Sequence, residues 1–234
     1  MKTFIILASL MLMLLFAGTS HGFQKNALEW KFKVFLDDRE IGFHDFTVVR
    51  DNEMTKVDID ARFDVKVLFF TAYKYRHQNA ETYNNDCLSS VDASTNDNGD
   101  KKTVSGDRRS DAFAITNADG QTDLLTDPCL MSFAYWHPSM LQATQLINTQ
   151  TGDIEPVTVS ALGDDTVLYR DRMVPAQQYA LNVQGQEIRL WYDAENYRWL
   201  ALEAPAKGGR VLRYEPISVP SDVALLTNTH SVDS

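Results

Sequence analysis

The chain has 234 residues, of which 44% are hydrophobic, and its 22 Lys and Arg against 32 Asp and Glu give a formal net charge of −10. So acidic a chain lacks the stripes of Lys and Arg that bind nucleic-acid phosphates or anionic membrane surfaces. We therefore expect neither of these among its partners. The length suits one large domain or two small ones, with a core that needs neither metals nor many disulfides.

The first predicted element is a secretory signal peptide at residues 1–22. Lys2 precedes an apolar run from Phe4 to Ala17, and the small residues Ser20 and Gly22 stand where a signal peptidase requires them. The run is shorter than the roughly 20 residues that span a bilayer. We expect cleavage near Gly22 and a soluble domain in the periplasm. The alternative is an uncleaved membrane anchor.

Alternation of apolar and polar residues predicts strands along most of the remaining chain. The pattern is clearest between Val57 and Val67, where apolar side chains point one way and charged ones the other. Asn98 and Gly99 form a two-residue hairpin signal, because both central positions of a type I′ turn need positive φ. The predicted strands cover residues 28–36, 41–50, 57–67, 71–84, 88–96, 101–109, 112–117, 154–162, 166–168, 174–183, 186–193, 199–203 and 210–215.

The segment near 128–147 shows no such alternation. We predict one or two short helices there, or a long crossing loop, with Ser139 as a helix cap and a helical face through Met140, Leu141, Thr144 and Leu146.

Many sequential strands and almost no helix predict an all-β fold. One-sided strands favour a strongly curved antiparallel sheet that closes into a barrel-like or spiral shape, and two stacked sheets are the alternative. We place a single antiparallel β domain at residues 23–215 and a polar C-terminal tail at 216–234, where few apolar residues occur in a periodic pattern.

The chain has two cysteines, Cys87 and Cys129. In an oxidising compartment such a pair favours a disulfide. Its loop would contribute roughly 4 kcal/mol by the chain-entropy relation. The alternatives are buried free thiols and a redox-active pair, although the wide spacing is unlike a Cys-x-x-Cys motif.

Several landmarks together resemble an uncharacterised family of exported bacterial proteins, a domain-of-unknown-function family. They are Trp30, residues 37–46, residues 63–68, Tyr73, Tyr75, Arg76, His77, residues 96–99, residues 135–138, residues 146–152 and residues 191–193. The resemblance covers roughly Trp30 to Tyr214. It implies an envelope location of the Gram-negative type and a mostly antiparallel β fold. More loosely, it suggests the periplasmic β-spiral proteins that support envelope integrity or carry lipids. It implies no reaction.

No metal, cofactor or catalytic signature is evident. His44, His77, His137 and His230 have no metal-binding spacing, and no nucleophile elbow or phosphate loop occurs. The acidic stretch from Asp92 to Asp100 places no carboxylate where an EF-hand calcium ion needs one. We predict a protein without evident catalysis. The alternative is a hydrolase that pairs two of the strand carboxylates Glu29, Asp45, Asp64 and Glu81.

The aromatic residues are numerous for a domain of this size. Most of them are expected to form the core, but a curved sheet that is not fully filled would use the same residues to line an apolar cavity. The predicted ligand-binding residues are Tyr73, Tyr75, Tyr135, Trp136, His137 and Trp191. For His137 the alternative is a structural histidine bonded to the backbone.

These features predict an exported β protein that binds an apolar, lipid-like ligand or an envelope protein partner. A structural or adaptor protein of the envelope is the alternative to the ligand-binding interpretation.

Overall fold

The computed structural model describes residues 27–67 and 70–221. The predicted signal peptide at 1–22, its cleavage near Gly22 and residues 222–234 of the predicted tail lie outside the described residues.

The described residues form fourteen β-strands and one 3₁₀ helix. The strands are β1 Leu28–Leu36, β2 Arg39–Asp51, β3 Met54–Val67, β4 Phe70–Asn84, β5 Cys87–Asp97, β6 Asp100–Arg109, β7 Ala112–Thr116, β8 Thr122–Leu125, β9 Gln145–Ile147, β10 Ile154–Tyr169, β11 Arg172–Val183, β12 Gln186–Asp193, β13 Trp199–Ala206 and β14 Arg210–Ser218. The 3₁₀ helix covers Pro138–Gln142. Among the described residues no helix has the length and apolar character needed to cross a membrane.

All fourteen strands belong to one antiparallel sheet, in which consecutive strands pair except β8 and β9, and the first strand pairs with the last at the centre. The order runs from β8 down to β1 and then from β14 down to β9. Strand β1 therefore lies between β2 and β14, and β8 and β9 are the two edges. The predicted all-β fold with a strongly curved sheet is confirmed; the sheet curls without pairing its edges.

The strand pattern differs from the prediction at a few points. Residues 154–169 form one strand rather than two, because a bulge near Ala161–Gly163 interrupts the alternation without ending the pairing with β11. Strand β14 continues to Ser218, and Val219 is buried, so the sheet extends beyond the predicted boundary at residue 215. Strands β8 and β9 were not predicted, since four and three residues are too few for a recognisable period.

The prediction that Ser139 caps a helix was wrong. His137 is the N-cap, because its Nδ1 accepts a hydrogen bond from the Ser139 backbone N–H at 3.2 Å. Pro138 then occupies the first helical position, where its missing N–H costs nothing. The helix ends at Gln142, before Thr144, and Leu146 lies in strand β9.

Residues 126–153, called the crossing segment below, connect edge strand β8 to β10 and include the 3₁₀ helix and the other edge strand, β9. The predicted disulfide is present and joins Cys129 to Cys87 on β5, with Cα atoms 4.7 Å apart. Next to it, the Leu88 N–H donates to the Leu130 carbonyl at 2.8 Å. Farther along, the Ala118 N–H donates to the Thr151 carbonyl at 2.8 Å. The covalent and hydrogen-bonded links together hold the curl closed.

The aromatic core fills one end of the curled sheet. Trp199 on β13 lies at its centre, with ring centroids 4.3 Å from Phe32 on β1 and 5.2 Å from Phe46 on β2. Trp30 and Tyr192 are also fully buried. Since these rings come from β1, β2, β12 and β13, the core fixes the two halves of the sheet against each other.

Candidate functional site

A cavity of about 840 Å³ that opens to solvent lies within the curled sheet, beside the aromatic core. Phe46, beside the core, lines its inner end, and Leu36, Asp97 and Lys207 line its outer end. These last three lie at the β1–β2, β5–β6 and β13–β14 turns, which share one end of the sheet. The cavity therefore extends from the core to a mouth at that end. Its volume lies within the roughly 300–1,000 Å³ range of small-molecule sites.

Most of the cavity wall is apolar. Strands from both halves of the sheet contribute to it, because alternate residues of a strand face the same side. The apolar lining residues include Leu36, Ile41, Phe46, Ile59, Ala61, Phe63, Val65, Phe133, Val183, Ile188, Leu202, Ala204 and Leu212. Such apolar surface suits a hydrocarbon chain.

The inner face of β4 changes from aromatic to polar along its length. Tyr73 and Tyr75 line the cavity toward its mouth, and His77, Asn79 and Glu81 follow on the same face. The Tyr75 ring stacks on Phe63 of β3, with centroids 5.1 Å apart and planes at 12°. Strand β4 alone therefore gives the cavity an aromatic part and a polar part.

Two histidines lie in one cross-strand row of the cavity wall. His44 on β2 is paired with Ala61 on β3, which is paired with His77 on β4. His44 Nδ1 lies 3.0 Å from the Tyr214 hydroxyl, and His77 Nδ1 lies 2.9 Å from the Thr95 hydroxyl. Burial lowers the pKa of His44 to about 3 and that of His77 to about 4. Both rings are therefore neutral near pH 7.

We expect acid to destabilise the domain through these two rings. In the unfolded chain a histidine takes up its proton near pH 6.5, but His44 and His77 remain neutral in the folded chain down to about pH 3 and 4. The unfolded state then binds more protons below pH 6.5, so stability falls as the pH falls from there to about 4. The loss should approach roughly 1.4 kcal/mol per pH unit for each ring.

Urea denaturation at pH 7 and pH 5 tests this expectation. The H44Q/H77Q double variant has no titrating ring at either position and should lose less stability between the two pH values than the wild type. Burial also raises the pKa of Glu81. Above the ordinary carboxyl pKa, this shift makes the domain more stable as the pH falls, and it does so in both proteins. An equal loss in both proteins would show that the histidines are not responsible.

A polar patch lies where β4 meets the crossing segment. It consists of Asn79, Glu81, Tyr83, Ser132 and Thr149 and is called the seam patch below. Asn79 Nδ2 donates to Glu81 Oε1 at 2.7 Å and to Thr149 Oγ1 at 3.2 Å. The Tyr83 hydroxyl donates to Glu81 Oε2 at 2.6 Å and lies 2.9 Å from Ser132 Oγ. All its members except Tyr83 line the cavity.

Other charged groups of the cavity wall lie nearer its mouth. Glu155 is buried and receives hydrogen bonds from Gln184 Nε2 at 2.7 Å to each carboxylate oxygen. Arg210 donates to Asp37 at 2.8 Å. Lys207 is exposed at the β13–β14 turn. The described cationic side chains of the wall therefore lie at the rim of the cavity.

Three of the six residues predicted to bind a ligand line the cavity, namely Tyr73, Tyr75 and Tyr135. Trp136, in the crossing segment, is buried, and its ring makes an edge contact with Tyr83 at a centroid distance of 5.5 Å. Trp191 lies on the opposite face of β12 from Ile188 and donates to Asp165 at 2.8 Å. The structure thus brings the three tyrosines together and places both tryptophans elsewhere.

His137 also lies away from the cavity. It is buried, and besides capping the 3₁₀ helix its Nε2 lies 3.3 Å from an Asp86 carboxylate oxygen. The His137 ring holds the pKa of Asp86 below its usual value. His137 therefore joins the crossing segment to the β4–β5 turn.

The four strand carboxylates considered for hydrolysis are not gathered at one place. Glu29 is bonded to Lys31 at 2.8 Å on the outer face of β1, with Asp45 nearby, and Asp64 is bonded to Arg76 at 2.8 Å. Of the four, Glu81 alone lines the cavity. Within residues 27–67 and 70–221, no group of three or more His, Cys, Asp or Glu side chains is placed to hold a metal ion.

Sequence reasoning missed the seam patch and Glu155. The alternation of β4 does place Asn79 and Glu81 on the same face as Tyr73 and Tyr75. Polar residues that share a strand face with aromatic residues therefore indicate a polar part of a cavity. Glu155 shares a face of β10 with Val157, since both are buried and lie two positions apart.

The fold and the cavity define a class of protein: an all-β domain whose single curled antiparallel sheet encloses an internal chamber. The chain belongs to the family DUF6134, a domain of unknown function, whose sequence model matches residues 32–217. The predicted resemblance to an uncharacterised all-β family is thereby confirmed. No curated protein matches the sequence as a relative.

The structure is similar to the crystal structure of a beta-barrel-like protein of the domain of unknown function DUF1849 from Brucella abortus. The TM-score is 0.60 at 8% sequence identity, and the match covers 83% of this chain and 97% of that chain. At this identity the similarity concerns the fold alone.

Proposed function

We propose that this protein is a non-catalytic carrier that holds an apolar, acyl-chain-like ligand in its internal cavity. The observation that carries the proposal is the apolar cavity of about 840 Å³, enclosed by a curled sheet and open toward one end. A solvent-filled chamber lined by aliphatic and aromatic side chains is unfavourable, and burial of a hydrocarbon chain there would contribute about 0.8 kcal/mol per methylene group.

The proposal places the carrier in the periplasm. Its support is the signal-peptide pattern of residues 1–22 in the sequence, to which the disulfide between Cys87 and Cys129 adds weakly. An apolar compound in an aqueous compartment needs a protein that shields it, and an acidic surface keeps such a protein soluble.

A cavity-filling variant tests the proposal. Ala204 lines the cavity on β13, paired with Leu212 of β14. A204F places a phenyl ring in the chamber, so we expect it to weaken binding of the neutral apolar dye Nile red at least about tenfold, a loss of about 1.4 kcal/mol. The measurement is a fluorescence titration with dye at fixed protein concentration.

The matched control is A80F, at an exposed alanine on the outer face of β4. It adds the same side chain outside the cavity and should bind the dye as the wild type does. Dye binding that is equally strong in A204F and the wild type would contradict the proposal, because the dye would then bind elsewhere on the protein.

A further inference from the structure

The seam patch contains a carboxylate in a buried position, where an ionised carboxylate is destabilising. Glu81 is 3% exposed, and burial raises its pKa above the usual value. A buried ionisable group of this kind needs partners, and here they are the Asn79 amide and the Tyr83 hydroxyl. The hydrogen bonds from Tyr83, Asn79 and Ser132 favour the ionised form of Glu81 and oppose the effect of burial on its pKa.

The amide and phenol donors of the patch are used within it. Both hydrogen bonds of Asn79 Nδ2 go to Glu81 and Thr149, and the Tyr83 hydroxyl donates to Glu81. Asn79 is 4% exposed, and its Oδ1 is buried without a hydrogen-bond partner among the described residues. Most buried polar atoms in proteins are hydrogen-bonded, so an unpartnered acceptor beside a carboxylate indicates a place for a donor from outside the chain.

The seam patch also lies on the cavity wall, away from the cations of the mouth. Asn79, Glu81, Ser132 and Thr149 line the same cavity as the apolar residues. An apolar chain lying in the cavity would therefore have a polar surface within reach along β4. That surface repels a carboxylate or phosphate and attracts a hydroxyl or ammonium group.

We propose that the ligand of this cavity is an apolar chain that ends in a hydrogen-bond donor, a hydroxyl or ammonium group, which binds at Asn79 and Glu81. The inference rests on the proposed carrier function and specifies its ligand class. Fatty acids and other chains that end in an anion are excluded from the seam patch by the Glu81 carboxylate.

Competition against Nile red with three compounds of equal chain length tests the inference. Tetradecanol and tetradecylamine should displace the dye from the wild-type protein at concentrations at least about tenfold lower than tetradecanoate, which corresponds to about 1.4 kcal/mol. Comparison of tetradecanol with tetradecylamine distinguishes the two donors. A hydroxyl group needs only a hydrogen-bond acceptor, whereas an ammonium group also benefits from the charge of Glu81.

The E81Q variant removes the charge while keeping the shape of the side chain. It should weaken the binding of tetradecylamine about tenfold and change the binding of tetradecanol by no more than about threefold. The binding of tetradecanoate should become stronger. The matched control is E155Q, because Glu155 is also a buried carboxylate of the wall but is bonded to Gln184, outside the seam patch. E155Q should keep the wild-type ranking.

The outcomes separate the two proposals. Displacement by none of the three compounds would overturn the carrier function itself. Equal displacement by all three, or strongest displacement by tetradecanoate, would overturn the donor inference and leave the carrier function standing. If the wild type prefers tetradecanoate and K207Q loses this preference, the polar end of the ligand lies at the mouth of the cavity instead. The wild-type ranking decides the inference even where E81Q does not fold.

Discussion

Replacing Cys87 and Cys129 together by serine is expected to lower the free energy of unfolding by about 4 kcal/mol. The two cysteines are 42 positions apart in sequence, so the disulfide restricts a long loop of the unfolded chain. In the folded chain it fixes the start of the crossing segment beside β5. Denaturant unfolding of the double variant and the wild type gives the difference directly.

Serine fits these positions, because Cys129 is exposed and Cys87 is half-buried. The wild-type protein unfolded with a reducing agent present serves as the control and should match the double variant. A difference below about 1 kcal/mol would show that the hydrogen bonds of the crossing segment hold the curl without the covalent link.

The W199A variant should lower the free energy of unfolding by roughly 3–5 kcal/mol, the range for a large aromatic residue lost from a core. Trp199 is fully buried and contacts rings from both halves of the sheet and from the crossing segment, with Tyr135 at a centroid distance of 5.3 Å. The surrounding strands cannot collapse into the space, because each is held by ladder hydrogen bonds on both sides.

Leu168, on β10, is the exposed control for this substitution, since its side chain is 62% exposed. L168A should change stability by no more than about 0.5 kcal/mol. If W199A costs less than about 1.5 kcal/mol, the aromatic core does not hold the two halves of the sheet together as the structure indicates.

Much of the fold can be predicted from local patterns in the sequence. The alternation in β3 arises because one face of the sheet meets the interior and the other meets water, and it locates the strand within a few residues. The hairpin at Asn98 and Gly99 is equally local, since both residues have positive φ in the structure. Pairing of consecutive strands then follows from short turns.

The candidate site is harder to predict because its wall is assembled from distant strands. Tyr75 on β4 and Leu212 on β14 line one cavity, yet nothing in either segment indicates the other. Aromatic residues give no decision by themselves, since Tyr75 lines the cavity and Trp191 instead donates to Asp165. The crossing segment has no period, and its strand β9 depends on pairing with β10.

Native mass spectrometry of the protein purified from cells, before and after incubation with tetradecylamine, tests the proposed carrier function most directly. We predict one apolar molecule bound per wild-type chain, retained from the cell or taken up on incubation, and a much smaller bound fraction of A204F. A wild-type protein that has the mass of the polypeptide alone in both conditions would contradict the account.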